Sequence, residues 1–300
     1  MNVVSWNVQG AFPPQGSPDR IDSQLDFIVE NADCPDLLML NEVTKNRREL
    51  WHEGLERAGY TDVVDTLDWA RQLGEINVPP FQDFNKVNGN LTAVHKSSDL
   101  ENLRRQTPSI RDPPHDESAL KHWDTNFPEK ILNAEVDLGD TTIDLWNIRT
   151  VPGSMFGEEK IKILENVYDR ILAKGTGPRI LAGDFNAPKD ETDDGEVIPW
   201  RNQKHDELSE RWKQAELNIL TGLDAVGMVD VFRTIHGYGE LDTLDISHPT
   251  GDRDSLSGKR FDHIIASRSL NPHDCFYDVD GLDCSDHAPL FAEFYPDFSS

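Results

Sequence analysis

Arg179-Ile180-Leu181-Ala182-Gly183-Asp184-Phe185-Asn186 is the stretch that decides the fold. The apolar run Arg179–Ala182 reads as a short buried strand. A carboxylate and a carboxamide one residue apart just beyond it are carried together to the rim of a sheet, where α/β proteins assemble their sites. Asp184 can accept a proton or face a cation, and Asn186 can both donate and accept hydrogen bonds. Alone, the pair also fits an Asx turn at a strand end. The rest of the chain has to separate these readings.

Working outward, the spacing predicts strands over Val3–Val8, Leu37–Leu40, Asn90–His95, Thr142–Ile148, Phe261–Ser267 and Ala288–Phe294. Helices are predicted over Arg20–Ala32, Glu49–Ala58, Glu158–Ala173 and Asp206–Leu223 from their apolar stripes, such as Ile161, Leu164, Val167 and Ile171. Two stretches match each other. Trp6-Asn7 ends one strand and Trp146-Asn147 another; each leads through a loop and an amphipathic helix into a strand ending in an acid, Glu42 or Asp184. The shared order predicts two related half-folds that bring both acids to one cleft. Two ordinary βαβ units are the plainer alternative. The segments Asp65–Asn88 and Gln106–Asp124, punctuated by Pro79-Pro80 and Pro113-Pro114, read as surface loops. No composition break divides the chain, which predicts a single domain over residues 1–300.

The 300 residues hold 55 acidic against 29 basic side chains, a net charge of −26, with 37% hydrophobic residues. That fraction still supports a core. The acidic excess argues against nonspecific coating of nucleic acid but leaves room for a local basic cleft. Acids spread throughout, with few lysines, also suit a surface adapted to high salt. Cys34, Cys275 and Cys284 share no metal-ligand spacing, which suits a reducing compartment. The start Met1-Asn2-Val3-Val4 shows no signal-peptide pattern, and no apolar run is long enough to span a membrane. The expectation is a cytoplasmic monomer without a membrane segment.

Near the C-terminus, Ser285-Asp286-His287-Ala288-Pro289 sets an acid beside an imidazole before a strand, and Arg260-Phe261-Asp262-His263-Ile264 opens another strand with a carboxylate. An aspartate that orients a histidine fixes its tautomer and raises its basicity, and the pair here is His287 with Asp262. Together with Ser5-Trp6-Asn7-Val8-Gln9-Gly10, Leu40-Asn41-Glu42-Val43 and Gly183-Asp184-Phe185-Asn186, these segments resemble, in order, the endonuclease/exonuclease/phosphatase superfamily. DNase I, exonuclease III-type nucleases, inositol polyphosphate 5-phosphatases and neutral sphingomyelinases share that fold. Weaker matches lie at Gly89–Lys96 and Gly227–Arg233.

The resemblance implies a four-layer α/β/β/α sandwich, two mixed β-sheets packed face to face with helices outside. It also implies hydrolysis of phosphate esters assisted by Mg²⁺ or Mn²⁺, most closely in the style of the nucleases. By the same resemblance Glu42 is the metal ligand, supported by Asn7 and Asp286. Asp184 positions or deprotonates the attacking water, Asn186 holds water or transition-state oxygens, and His287, oriented by Asp262, stabilises the phosphoryl group or acts as the acid–base partner. Asn147 is placed with the substrate. Arg149 stands where the family usually carries His or Tyr. Its fork suits bidentate phosphate binding, or it pairs with a nearby acid. Gln9 replaces a usual Asp or Asn.

Lys45-Asn46-Arg47-Arg48, with Arg149, Arg233, Lys259 and Arg260, is expected to form a cationic rim for phosphates, Arg47, Arg48 and Arg233 foremost. Trp69, Phe81 and Phe84 are expected either to stack on bases or to pack down locally. The expected substrate is a phosphate ester, DNA or RNA by preference. A small-molecule or lipid-headgroup phosphodiesterase and a noncatalytic binding protein of the same fold are the alternatives.

Overall fold

The computed structural model describes residues 1–10, 17–70, 87–108, 122–200, 206–239, 245–250, 257–296 and 298. Phe81, Phe84 and the two proline pairs lie outside them. Two six-stranded mixed sheets carry the fold. The first is built from β1 (Asn2–Asn7), β2 (Leu37–Thr44), β3 (Tyr60–Asp65), β4 (Asn88–His95), β15 (Pro272–Tyr277) and β16 (Leu290–Phe294), in the order β15-β16-β1-β2-β4-β3. The second is built from β5 (Leu100–Arg105), β6 (Ile131–Leu138), β7 (Thr141–Arg149), β8 (Arg179–Asp184), β11 (Met228–Asp230) and β14 (Asp262–Ser267), in the order β11-β14-β8-β7-β6-β5. The short strands β9 (Asp190–Glu191) and β10 (Val197–Ile198) pair with each other, as do β12 (His248–Pro249) and β13 (Gly258–Lys259).

Side-chain alternation explains the layering. Val3, Leu37, Met39 and Val94 of the first sheet meet Ala134, Val136, Leu145, Ile180, Ala182 and Ile264 of the second in a core shared by both. The opposite face of the first sheet presents Val4, Trp6, Leu38 and Leu40 to helices α1 (Pro18–Glu30) and α2 (Arg48–Ala58). The outer face of the second sheet presents Trp146, Ile148 and Leu181 to α3 (Gly153–Lys174) and α4 (Asp206–Leu220). This is the four-layer α/β/β/α sandwich.

The two half-folds are present as parallel pairs. β1 runs alongside β2 (Val3↔Leu37, Asn7↔Asn41) after crossover helix α1, and β7 runs alongside β8 (Leu145↔Ile180, Arg149↔Asp184) after α3. β7 continues past Asn147 to Arg149, so Asn147 sits one step deeper on the same face. Both ends of the first predicted loop are built in. Leu67 and Asn88 are fully buried, and Asn88 already belongs to β4. In the second, Trp123 is buried against Trp146. The short run Gly227–Arg233 forms β11 and the first turn of helix α5 (Val231–His236).

Candidate active site

The ends of β1, β2, β7, β8 and β14 and the segment before β16 converge on one rim of the sandwich. Backbone conformation there is unusual for the residue types. Gln9, Glu42 and Asn186 all adopt positive φ, at 53°, 61° and 48°. Such conformations cost roughly 1–3 kcal/mol each and gather where a side chain must be aimed. Gly183 is required by its surroundings: at φ +134° a Cβ would lie 1.8 Å from the Ile148 carbonyl oxygen. Only glycine lets β8 approach β7 closely enough to deliver Asp184.

Asn7 joins the halves. Its Nδ2 donates to Glu42 Oε1 at 3.3 Å and to Asp184 Oδ2 at 3.1 Å, while its Oδ1 accepts from the Gln9 amide at 2.9 Å. Arg149 spans the same acids, with Nη2 2.6 Å from Glu42 Oε1 and Nε 3.7 Å from Asp184 Oδ2. Asn186 folds back on Asp184: its amide donates to Oδ1 at 2.8 Å and its Nδ2 to Oδ2 at 3.1 Å. The Asx-turn geometry is thus present at this rim. His287 Nδ1 donates to Asp262 Oδ2 at 2.6 Å, as the sequence predicted, and Asp262 pairs with Asp184 across β14 and β8.

Electrostatics set these groups apart. Burial pushes the Asp184 carboxyl above its ordinary value and Asp262 adds to this, against the pull of His287 and Arg149. Burial and Glu42 raise Asp286 in the same way, against His287 and His248. Burial would lower His287, but Asp262, Asp184 and Asp286 outweigh it, and the imidazole is pushed up to about 10. Burial would likewise raise Asp262; the charge and hydrogen bond of His287 win, and it is lowered. At neutral pH the site holds a charged imidazole among carboxyls.

Among the described residues, the acids Glu42, Asp184, Asp262 and Asp286 outnumber the cations Arg149 and His287. Burial is the main cause of the raised Asp184 and Asp286, with Asp262 adding to the first and Glu42 to the second. An oxygen-rich, acid-rich cluster suits a hard divalent cation, and Glu42, Asn7 and Asp286 are the residues expected from the resemblance to hold one. Ligating atoms of Asp184, Asp262 and His287, and separately of His248, Asp286 and His287, lie within 4.8 Å of one another.

Other expected contacts fall elsewhere. Asn147 is buried between the sheets, its Nδ2 donating to the carbonyls of Leu40 and Leu91 and its Oδ1 accepting from Asn41. That location removes it from any substrate. Arg233 is also buried, bound to Glu191 at 2.6 Å and Asp245 at 2.9 Å. Arg260 makes a two-pronged contact with Glu191 (2.8 and 2.7 Å) and a third to Asp230 at 2.8 Å. Arg48 pairs with Asp65 at 2.8 Å, Lys45 donates to the Ala70 carbonyl, and Lys259 faces Asp190 at 3.8 Å. The rim of free cations is thus largely absorbed by internal partners, with Arg47 half-buried in the turn before α2. Trp69 is buried beneath the Arg105 guanidinium and packs down rather than facing outward.

Three residues at the site escaped the sequence reading. His248 lies with its ring 4.6 Å from that of His287, donating from Nδ1 to the Asp286 carbonyl at 3.0 Å. Ser247 Oγ accepts from the amides of Phe261 and Asp262 and so fixes the start of β14. The motif Ser247-His248-Pro249 has no periodicity to reveal it. Lys160 is fully buried, donating from Nζ to the Asn186 carbonyl at 2.8 Å and to Glu216 at 2.6 Å. Its signal was visible: Lys160, Leu164 and Val167 share one helical face, so a lysine stands on a buried stripe.

A model of the endonuclease/exonuclease/phosphatase family matches residues 4–287. No curated protein matches the sequence. Solved structures of similar fold include an AP endonuclease from Archaeoglobus fulgidus, 18% identical, TM-score 0.62, covering 98% of this chain and 99% of that one. The catalytic domain of Xenopus laevis APE2 is 18% identical, TM-score 0.63, covering 98% and 91%. A 3′ phosphatase from Neisseria, NExo, bound to a product DNA hairpin, is 19% identical, TM-score 0.59, covering 98% and 99%. At these identities the structural likeness is one of fold.

Proposed function

The chain belongs to the endonuclease/exonuclease/phosphatase family, and on that premise we propose that it is a divalent-metal-dependent phosphoesterase that cleaves phosphodiester bonds in nucleic acid. One observation carries this reading: Asn7, Glu42, Arg149, Asp184 and the Asp262–His287 pair, drawn from both halves, meet at one rim. Asp184, with its acidity weakened by burial, is the group that takes a proton from the attacking water. Asn186 locks the Asp184 carboxylate in place through two hydrogen bonds. His287 titrates too high to act as a base near neutral pH, so it serves as a cation facing the phosphoryl oxygens and as proton donor to the leaving oxygen. Asp262 sustains that charge. Mg²⁺ or Mn²⁺, held by Glu42, Asn7 and Asp286, would supply charge neutralisation at the phosphorus and support for the leaving oxyanion.

Nucleic acid is favoured as substrate because the likeness spans proteins described as an AP endonuclease and as a 3′ phosphatase bound to a DNA hairpin. A small phosphoester is the second reading, favoured by the net charge of −26 and by the pairing of Arg48, Arg233 and Arg260 within the fold. A panel of single-stranded DNA, RNA, abasic duplex and inositol phosphates, with Mg²⁺ or Mn²⁺ at low and molar salt, tests both. Turnover of a polynucleotide supports the first reading; turnover of inositol phosphates alone replaces it with the second. We also propose a monomeric, single-domain, cytoplasmic, salt-adapted protein. The core shared by both sheets supports the single domain, and no helix among the described residues is long and apolar enough to cross a membrane. Melting temperatures that stay flat from low to molar KCl would remove salt adaptation.

A further inference from the structure

Arg149 touches an oxygen atom that the proposed cation site offers. Nη2 lies 2.6 Å from Glu42 Oε1, the same oxygen that accepts from Asn7 Nδ2, and Nε lies 3.7 Å from Asp184 Oδ2. Arg149, Glu42 and Asp184 are all buried. Arg149 is the last residue of β7 and pairs in register with Asp184, so the backbone fixes where the guanidinium starts from. Two facts follow from elementary electrostatics. A cation approaching Glu42 meets a positive charge already seated there. Drawing the guanidinium away leaves a buried charge in need of another anion. A phosphate group is suited to that exchange, because its oxygens match the planar fork that a carboxylate otherwise holds.

Resting on the metal-dependent phosphoesterase reading above, we propose that Arg149 is a built-in counter-ion at the Glu42 position, and that it couples loading of the divalent cation to arrival of a phosphate. In the substrate-free chain the guanidinium neutralises Glu42. When phosphate is present, the guanidinium transfers from Glu42 to the phosphate oxygens, which frees the carboxylate for the incoming cation. No covalent bond changes in this exchange. By linkage, phosphate strengthens cation binding by the same factor as the cation strengthens phosphate binding. Arginine at this position thereby makes the site cation-poor until substrate is present.

The test is equilibrium binding of Mn²⁺, followed by the electron paramagnetic resonance of the free ion, with and without thymidine 5′-monophosphate. Nucleotide binding with and without Mn²⁺ is measured by calorimetry, and both are corrected for Mn²⁺ held by nucleotide alone. For the wild-type chain the expected coupling is roughly 10-fold and equal in both directions. Arg149→Gln is expected to bind Mn²⁺ roughly 10-fold more tightly without nucleotide, with little coupling left. The wild-type coupling needs no variant, so it stands even if Arg149→Gln folds poorly. Mn²⁺ affinity in the wild type that ignores nucleotide overturns the proposal, as does undiminished coupling in Arg149→Gln. If Mn²⁺ binding is lost in Glu42→Gln and hydrolysis is metal-dependent but uncoupled, this inference fails while the functional reading survives. If the wild type neither binds Mn²⁺ nor hydrolyses phosphoesters, both fail.

Discussion

Two buried charged clusters flank β14, and they are made of nearly the same residue types. On one side Glu191 and Asp230 are matched by Arg233 and Arg260, with the part-exposed Asp245 also on Arg233, at 2.6–2.9 Å. Despite burial, Arg260 and Arg233 draw Glu191 down to about 2, and Arg260 and His263 hold Asp230 far below its usual range. On the other side Glu42, Asp184, Asp262 and Asp286 share Arg149 and His287, and there Asp184 and Asp286 are raised. Alternation along β14 divides them: Asp262 points to the rim, while its neighbour His263 reaches Asp230 and the Ala187 carbonyl on the other face. The balanced cluster holds the chain segment carrying Asn186 and Glu191 against the sheet. On the proposed reading, the other cluster is where the chemistry takes place.

The comparison breaks most visibly if an acid of the rim cluster is neutralised. Asp184→Asn should lower kcat by roughly 10²–10⁴ while the melting temperature does not fall, since burial already disfavours the charge. A folded variant with wild-type kcat would remove Asp184 from the reaction. The balanced cluster should respond in the opposite way. Arg260→Met leaves Glu191 and Asp230 buried against fewer positive charges and should cost roughly 3–5 kcal/mol of stability, read from chemical denaturation. A loss below about 1 kcal/mol would put the cluster on a par with surface pairs.

Titration sharpens the contrast further. Glu191 has a folded pKa of about 2 against an ordinary 4.5. Its contribution is present above pH 4.5 and is lost as pH falls through about 2, so Glu191→Gln should flatten the acid limb of stability. His287 has the reverse sign. Raised from 6.5 to about 10, it contributes fully below pH 6.5 and loses that contribution as pH rises through about 10. Urea midpoints against pH for wild type and His287→Gln should converge toward the alkaline end; parallel curves would contradict the charged imidazole. The smallest effect belongs to the half-exposed Arg48–Asp65 pair, with Arg48 54% exposed. Arg48→Ala should change stability by less than about 1 kcal/mol and leave KM unchanged; a clear rise in KM would return Arg48 to the substrate.

Much of this site was readable in the chain. Asn7, Glu42, Asp184, Asn186 and Asp262 stand out locally, each a polar residue at or just beyond one end of an apolar strand. His287 was found from its neighbour Asp286 and from the family resemblance. What failed depends on distance in sequence. Nothing near Arg233 announces Glu191, 42 residues away, and nothing near Arg260 announces the same acid 69 residues away. Asn147 was misplaced because the matched Trp-Asn pairs hide a register difference: Asn7 ends its strand, whereas β7 runs on to Arg149. Among the strands missed, β3, β5, β6 and β15 carry polar residues at many positions; three of these four are sheet edges, where one side lacks a neighbour.

The most direct test of the central claim compares wild type with Glu42→Ala in hydrolysis of bis-p-nitrophenyl phosphate, with and without Mn²⁺, in molar KCl. The account predicts p-nitrophenolate release that requires Mn²⁺ and falls by roughly 100-fold or more in the variant. Equal rates in the two proteins, or a wild-type rate indifferent to Mn²⁺, would contradict it.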